Sequence, residues 1–199
     1  VKLGLVRSEL REIFEYGSKR KAEIVEENVL DFSIGNPSVP APKSVNDAII
    51  DLINNFDSVA LHGYTSAQGD AKVRTTIANY INNRFNTEIA PDNIYMTCGA
   101  ASSLTIVFNA IMQKDDECIV FTPYFPEYGV FLERTGAKLV AVKSEDKTFQ
   151  VDMKGFEAAI NEKTKAVVIN SPNNPSGVVY SVETIEKMCD LLRKKEKEY

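Results

Sequence analysis

A single histidine, three cysteines and no surplus of positive charge leave much ordinary protein chemistry without its parts in this 199-residue sequence. With His62 alone there is no Ser-His-Asp set, no HExxH pair and no metal-ligand spacing, and paired catalytic glutamates are equally missing. His62 has no acidic or metal-binding neighbour in the sequence, so it reads as a structural or surface residue rather than a general base. Cys98, Cys118 and Cys189 form an odd set without CxxC spacing, which excludes a disulfide framework and points to a reduced, cytoplasmic setting. Nothing approaches the run of about 20 apolar residues needed to span a membrane. Residues 1–15 scatter charge among apolar positions, unlike a secretory signal. The balance of 23 Lys and Arg against 28 Asp and Glu, net −5, argues against a nucleic-acid surface. Small anions remain open as ligands, because local backbone donors can outweigh a modest net charge.

What is present is the alternating pattern of one α/β core. Residues 8–27 read as a charged helix with Leu10, Ile13, Phe14 and Tyr16 at partial apolar spacing. A short extended piece, Asp31 to Ile34, precedes a proline-punctuated loop at 35–42. Helices are predicted over 43–55, with Val45, Ile49, Leu52 and Ile53 inward, and over 70–84, with Val73, Ile77, Tyr80 and Ile81 inward. Four strands follow, at 93–97, 117–121, 136–142 and 166–169. Between them lie helices at 102–112, 128–134 and 152–161, and a helix from Ser181 to about Glu198 follows the last strand. Asp152 is a candidate cap, and Ser181 with Glu183 makes a partial capping box. The apolar run Ala166 to Ile169 suits a parallel strand buried on both faces. A βα series closing on a helix, with no further strand, is expected of a fragment.

Three loops gather functional groups at strand ends. In Thr97-Cys98-Gly99-Ala100-Ala101-Ser102-Ser103 small residues lead into a helix whose first N–H groups lack intrahelical acceptors, an anion site to which Ser102 or Ser103 could add a hydroxyl. An ordinary helix start fits the same residues. Neither the dinucleotide fingerprint nor the P-loop spacing is present. Thr122-Pro123-Tyr124-Phe125-Pro126-Glu127-Tyr128 brings aromatic rings to the next strand end, for stacking on a flat ligand or for core packing. In Asn170-Ser171-Pro172-Asn173-Asn174-Pro175-Ser176-Gly177 the amides of Asn173 and Asn174 could meet a ligand oxygen or merely build a turn. Gly35 and Asn36 offer a similar choice toward a carboxylate. Thr122-Pro123 and Asn174-Pro175 are candidate cis bonds that sequence does not decide.

Read together, Ile34-Gly35-Asn36-Pro37, Gly63-Tyr64-Thr65-Ser66-Ala67-Gln68-Gly69, Thr97 to Ala101, Pro123 to Tyr128 and Asn170 to Gly177 resemble the class I and II aminotransferases. These are fold-type I pyridoxal-phosphate enzymes. The match runs in order from about Asp31 to Tyr180, and Asn174-Pro175-Ser176-Gly177 is its strongest motif. The resemblance implies a three-layer αβα fold with a mostly parallel sheet, the large domain of such an enzyme, incomplete here. Residues 1–45 would form an arm and part of a small domain, and 46–199 the first part of the pyridoxal-phosphate-binding large domain. It further implies that Gly99, Ala100 and Ala101 bind the pyridoxal 5'-phosphate phosphate, Phe125 stacks on the pyridine ring and Asn174 bonds the phenolic oxygen near the substrate carboxylate. Gly35 lines the substrate side. Tyr64 reaches the cofactor phosphate of the partner subunit, which implies a homodimer with shared active sites.

In this family the Schiff-base lysine, the aspartate at the pyridine nitrogen and the carboxylate-binding arginine follow the matched region, so the catalytic residues are expected beyond Tyr199. Lys187, Lys194 and Lys195 do not match the lysine motif. The expectation is the first half of an aminotransferase subunit, inactive and poorly soluble alone, whose intact form moves an amino group between an L-amino acid and a 2-oxo acid with aspartate-like preference. A carbon-sulfur β-lyase or a carbon-carbon bond-forming synthase of the same fold would share nearly the same half. A non-catalytic ligand-binding or interaction module is the reading from a different class.

Overall fold

The computed structural model describes residues 9–33, 35 and 39–199, which group into two compact units, one of residues up to Thr97 and one from Cys98 to Tyr199. The expectations for Ser8, Ile34, Asn36 and Pro37 lie outside the described residues, as does any role for the Leu10 side chain.

The first unit contains α1 (Glu9–Glu23), α2 (Lys43–Asn55), α3 (Ser58–His62) and α4 (Ala71–Phe85), with 3-10 turns at Glu26–Asn28 and Pro91–Asn93. Caps define its helix starts. The Asp57 carboxylate accepts from Ala60 N at 2.8 Å and Asp70 from Val73 N at 3.0 Å, each satisfying a first-turn amide. α3 is an addition to the sequence reading, which left 58–61 unassigned. Asp31 accepts from the Ser33 hydroxyl at 2.6 Å and the Ser33 amide at 3.0 Å, and Lys21 lies 3.1 Å away. These bonds, those of Ser33 foremost, hold its carboxyl down to about 2.

Three expectations fail in this unit, the first being the inward face of α2, whose Val45, Ile49, Leu52 and Ile53 are all exposed. The apolar face read for α4 is only half right: Ile77 and Ile81 are half-buried beside the buried Arg74 and Ala78, while Val73 and Tyr80 are exposed. The cause is Arg74, whose guanidinium donates to Pro91 O at 2.9 Å, Asp92 Oδ1 at 3.1 Å and Gly69 O at 3.4 Å. Residues 74 and 78 share a helix stripe, so drawing one inward carries the other with it. The strand read at 93–97 starts inside the 3-10 turn, and 94–97 belongs to no ladder among the described residues. Its backbone is extended at Ile94, but Met96 N donates to Gln68 O, a loop residue, at 2.9 Å. A strand requires a neighbouring strand to complete its hydrogen bonds.

The second unit runs α5 (Ala100–Ile111), β1 (Glu117–Thr122), α6 (Glu127–Glu133), β2 (Lys138–Lys143), α7 (Met153–Ala159), β3 (Thr164–Val167) and α8 (Val182–Lys195). The strands form a parallel sheet in the order β2-β1-β3. β1 pairs with β2 from Glu117–Lys138 to Thr122–Lys143, and with β3 through Cys118–Ala166 and Ile119–Val167. As the central strand it is buried from Cys118 to Phe121, and its side chains alternate between two cores. Cys118 joins Phe108, Met112 and Leu132 from α5 and α6 on one face. Ile119 and Phe121 join Phe156, Ile160, Tyr180 and Met188, from α7, α8 and their flanks, on the other. The result is the expected αβα sandwich. Burial alone pushes the Cys118 thiol up to about 11.

β3 begins two residues before the expected strand and its ladder ends at Val167, although Val168 N still donates to Ile119 O at 2.9 Å. The expected burial on both faces is not met, for Ala166 to Val168 are half-buried and Ile169 is exposed, as suits an edge strand paired on one side among the described residues. Ser181 caps α8 through Thr184 N at 3.0 Å, so the partial box reduces to a simple cap.

Candidate functional site

All three parallel strands point their carboxyl ends at one edge, and the loops leaving β1 and β3 start there. The short connection from Ile111 to Glu117 returns α5 to the opposite edge, so α5 starts at the carboxyl edge as well. That is where open α/β sheets place ligands.

Gly99 caps α5 at φ 87° and ψ 173°, a conformation open essentially to glycine alone. No side chain caps this helix start. The first intrahelical bond is Ser103 N to Gly99 O at 3.2 Å, which places Ala100 and Ala101, both exposed, in the turn whose amides have no intrahelical acceptor. The serine hydroxyls, each open to an added anion contact in the sequence, bond the preceding turn. Ser102 Oγ–H donates to Cys98 O at 3.3 Å and Ser103 Oγ–H to Gly99 O at 3.5 Å, so their protons are turned to the backbone.

After β1, Thr122-Pro123 is cis and the Phe125 ring, half-buried, meets Tyr128 edge-on with centroids 5.7 Å apart at 82°. Tyr128 and Tyr180 are both 7% exposed. Burial raises both phenols, and the proximity of Tyr128 raises Tyr180 further. They stay protonated through neutral pH.

After β3, Ser171-Pro172 and Asn174-Pro175 are cis. Asn173 and Asn174, alike in sequence, part company here. Asn174 is exposed and its amide donates to Asn170 Oδ1 at 2.9 Å. Asn173 is 8% exposed, and its Nδ2 donates to Pro123 O at 2.9 Å and Ser176 Oγ at 2.8 Å. Its side-chain amide is thus engaged within the protein, so of the two roles open to Asn173 in the sequence the structure shows the turn-building one. Ser171 Oγ accepts from Tyr180 N at 3.1 Å. Gly177 turns at φ 72°, its amide donating to Asn173 O at 2.7 Å.

Gly35 and Tyr64 belong to the other unit. A Cβ built on Gly35 meets nothing within 4 Å, and Tyr64 is wholly exposed. Its loop is well held: Ser66 Oγ donates to Gly69 O at 2.6 Å and Gln68 Nε2 to Asp92 O at 3.3 Å. His62 is exposed at the end of α3. Lys187 and Lys195 are ion-paired on α8 with Glu183 and Glu198, at 2.6 Å each, and Lys194 lies 3.5 Å from Glu157. Among the described residues no group of His, Cys, Asp and Glu could hold a metal ion, and no helix is long and apolar enough to cross a membrane. Sequence reasoning missed the supports of the site, Tyr128, Asn173 and Tyr180. The signal available for them was only their place inside the motifs.

A parallel αβα unit whose loops converge on a helix N-terminus is the large-domain architecture of the fold-type I pyridoxal-phosphate transferases, present here in part. The chain belongs to the family aminotransferase class I and II, whose model matches residues 27–197. It is 34% identical over 183 residues to an aspartate aminotransferase of Thermotoga maritima, a match covering 91% of this chain and 48% of that protein. Among solved structures, an amino transferase from Eubacterium rectale superposes with a TM-score of 0.95 at 57% identity, covering 99% of this chain and 50% of that one. The aspartate aminotransferase of Thermus thermophilus with maleate gives 0.84 at 25% identity, over 97% and 49%. The chain thus spans about half the length of the relatives it matches.

The residues present fit the family's cofactor. A helix N-terminus lined by small residues supplies backbone donors for a phosphate dianion, an aromatic ring stands at the same edge, and an exposed carboxamide follows on the next loop.

Proposed function

We propose that this chain is the phosphate- and ring-holding half of an aminotransferase that moves an amino group between an L-amino acid, aspartate by preference, and a 2-oxo acid. The observation that carries the reading is the convergence of the α5 N-terminus, the Phe125 loop and the Asn174 loop on one sheet edge. The names of the relatives support the aspartate preference, and the maleate held by one of them is a dicarboxylate.

Each residue has a definite task in this scheme. The amides of Gly99, Ala100 and Ala101, with the positive end of α5, hold the phosphate. Phe125 stacks on the pyridine face; unlike tryptophan or tyrosine it contributes no polar contact. The Asn174 carboxamide donates to the phenolic oxygen and stands near the substrate carboxylate. Gly35 leaves room on the substrate side. When bound, pyridoxal phosphate supplies the electron sink that lets the α-proton and amino group move. The lysine, aspartate and arginine that complete the site are assigned to residues following Tyr199.

Tyr64, exposed on an anchored loop, is assigned to the cofactor phosphate of a second subunit, making the enzyme a homodimer with shared sites. Residues 1–45 serve as arm and small-domain contribution, and 46–199 as the first part of the large domain. Exposed Cys98 and Cys189 as free thiols favour the cytoplasm.

The test uses the full-length protein with pyridoxal phosphate. Amino transfer from L-aspartate to 2-oxoglutarate, dependent on the oxo acid, is expected, from a dimer by light scattering. Release of pyruvate and ammonia from a sulfur amino acid without an oxo acid would make it a β-lyase instead, and absence of both activities would remove the enzymatic reading.

A further inference from the structure

Asn173 takes part in four hydrogen bonds that together join two loops distant in sequence. Its amide donates to Val178 O at 2.9 Å and its carbonyl accepts from Gly177 N at 2.7 Å, which closes the turn carrying Asn174. Its Nδ2 donates locally to Ser176 Oγ at 2.8 Å and, across 50 residues, to Pro123 O at 2.9 Å. Pro123 directly follows β1 and stands two residues before Phe125. The loop it opens holds Pro123 and Pro126, neither with an N–H, so it has few donors with which to anchor itself. The carboxamide is buried, and buried polar groups of this kind act through satisfied partners and a single orientation.

From this arrangement we infer that Asn173 is a positioning residue: it locks the Phe125 loop to the Asn174 loop, so that ring stacking and the oxygen-side contact are set together. The inference rests on the cofactor reading above. The bond to Pro123 O is the one that matters, since the bond to Ser176 remains within one loop. Two substitutions separate them. Asn173→Asp keeps the shape and can take a hydrogen bond from the Ser176 hydroxyl in place of the one Asn173 gives it, but it turns an acceptor toward the Pro123 carbonyl. Ser176→Ala removes the local bond and leaves the long-range donor in place. Asn173→His restores a donor, because imidazole Nδ1–H can reach much the same position as the asparagine Nδ2.

The experiment reads two signals in the full-length enzyme. In the holoenzyme, Asn173→Asp is expected to weaken pyridoxal-phosphate binding about tenfold, the scale of one buried hydrogen bond, and to shift the pH midpoint of the bound cofactor's visible band. Ser176→Ala should change either by less than about threefold, and Asn173→His should recover most of the loss. In the apoprotein, hydrogen exchange at the Tyr128 amide, which donates to Phe125 O at 3.2 Å, should quicken in Asn173→Asp and not in Ser176→Ala. Should Asn173→Asp fail to fold, Asn173→Ala, which deletes the donor without placing a carboxylate against Pro123 O, is read in its place with the same expected loss and the same overturning result. The inference is overturned if Asn173→Asp folds and leaves both the cofactor signals and Tyr128 exchange unchanged, or if Ser176→Ala has the larger effect. Should the wild-type enzyme bind no pyridoxal phosphate, the cofactor reading falls, while the exchange experiment still decides whether Asn173 ties the loops.

Discussion

Gly99 adopts a backbone conformation closed to other residues, yet a Cβ built on it would meet nothing within 4 Å. The glycine is therefore required by conformation and not by crowding. Gly99→Ala is expected to cost about 1–3 kcal/mol of backbone strain or to swing the first turn of α5 out of line. Thermal unfolding of the full-length variant reads the first cost, and weaker pyridoxal-phosphate binding at unchanged fold reads the second. Gly69 makes the contrast: at φ 97° it shares the conformational need, but an added Cβ would also collide with the Met96 side chain. The turn at Gly99 and the exposure of Asn174 were legible because their motif neighbours restrict the backbone there. Asn173 was not. Two consecutive asparagines differ only in the direction the chain takes between prolines, and a periodicity of 2 or 3.6 says nothing inside an irregular loop.

Elements with both a period and a partner were the legible ones. α2 covers the expected 43–55, and β1, α6, β2 and α7 agree to within a few residues. The failures have separate causes. Arg74, a charged residue, fills an inward position on α4 because three oxygens meet it there, and hydrophobicity then wrongly turns Val73 and Tyr80 inward while placing Ile77 and Ile81 on the half-buried side. The segment 94–97 has strand-like composition without a strand beside it. The core of the second unit gives a quantitative expectation. Phe156 is fully buried and packs edge-on against Phe121, centroids 5.3 Å apart, joining α7 to the central strand. Phe156→Ala should destabilise the protein by about 3–5 kcal/mol, measured by denaturant unfolding. A loss below about 1 kcal/mol would mean that α7 does not depend on this contact.

At the scale of the whole chain, family membership was readable from five short motifs in register, three of which stand where α5 starts and where β1 and β3 end. Their supports were not readable, since they depend on which loop lies against which. Burial tells a similar story. α2 forms with Val45, Ile49, Leu52 and Ile53 on one side as expected, yet all four are exposed. Under the proposed function that stripe belongs against surface supplied by the rest of the enzyme or by a second subunit.

Arg74 also bears on how the first unit breathes. One guanidinium holds the loop before α4, through Gly69 O, and the segment after it, through Pro91 O and Asp92. Two stretches that would otherwise fluctuate separately are thereby expected to open as one cooperative unit. Lysine carries the same charge without the planar fork that serves three acceptors. In Arg74→Lys the amides of Gly69 and Met96, bonded to Ser66 O and Gln68 O, are expected to exchange with deuterium at separate rates, where the parent protein releases them together. The loop that carries Tyr64 would then lose its common clock with the rest of its unit.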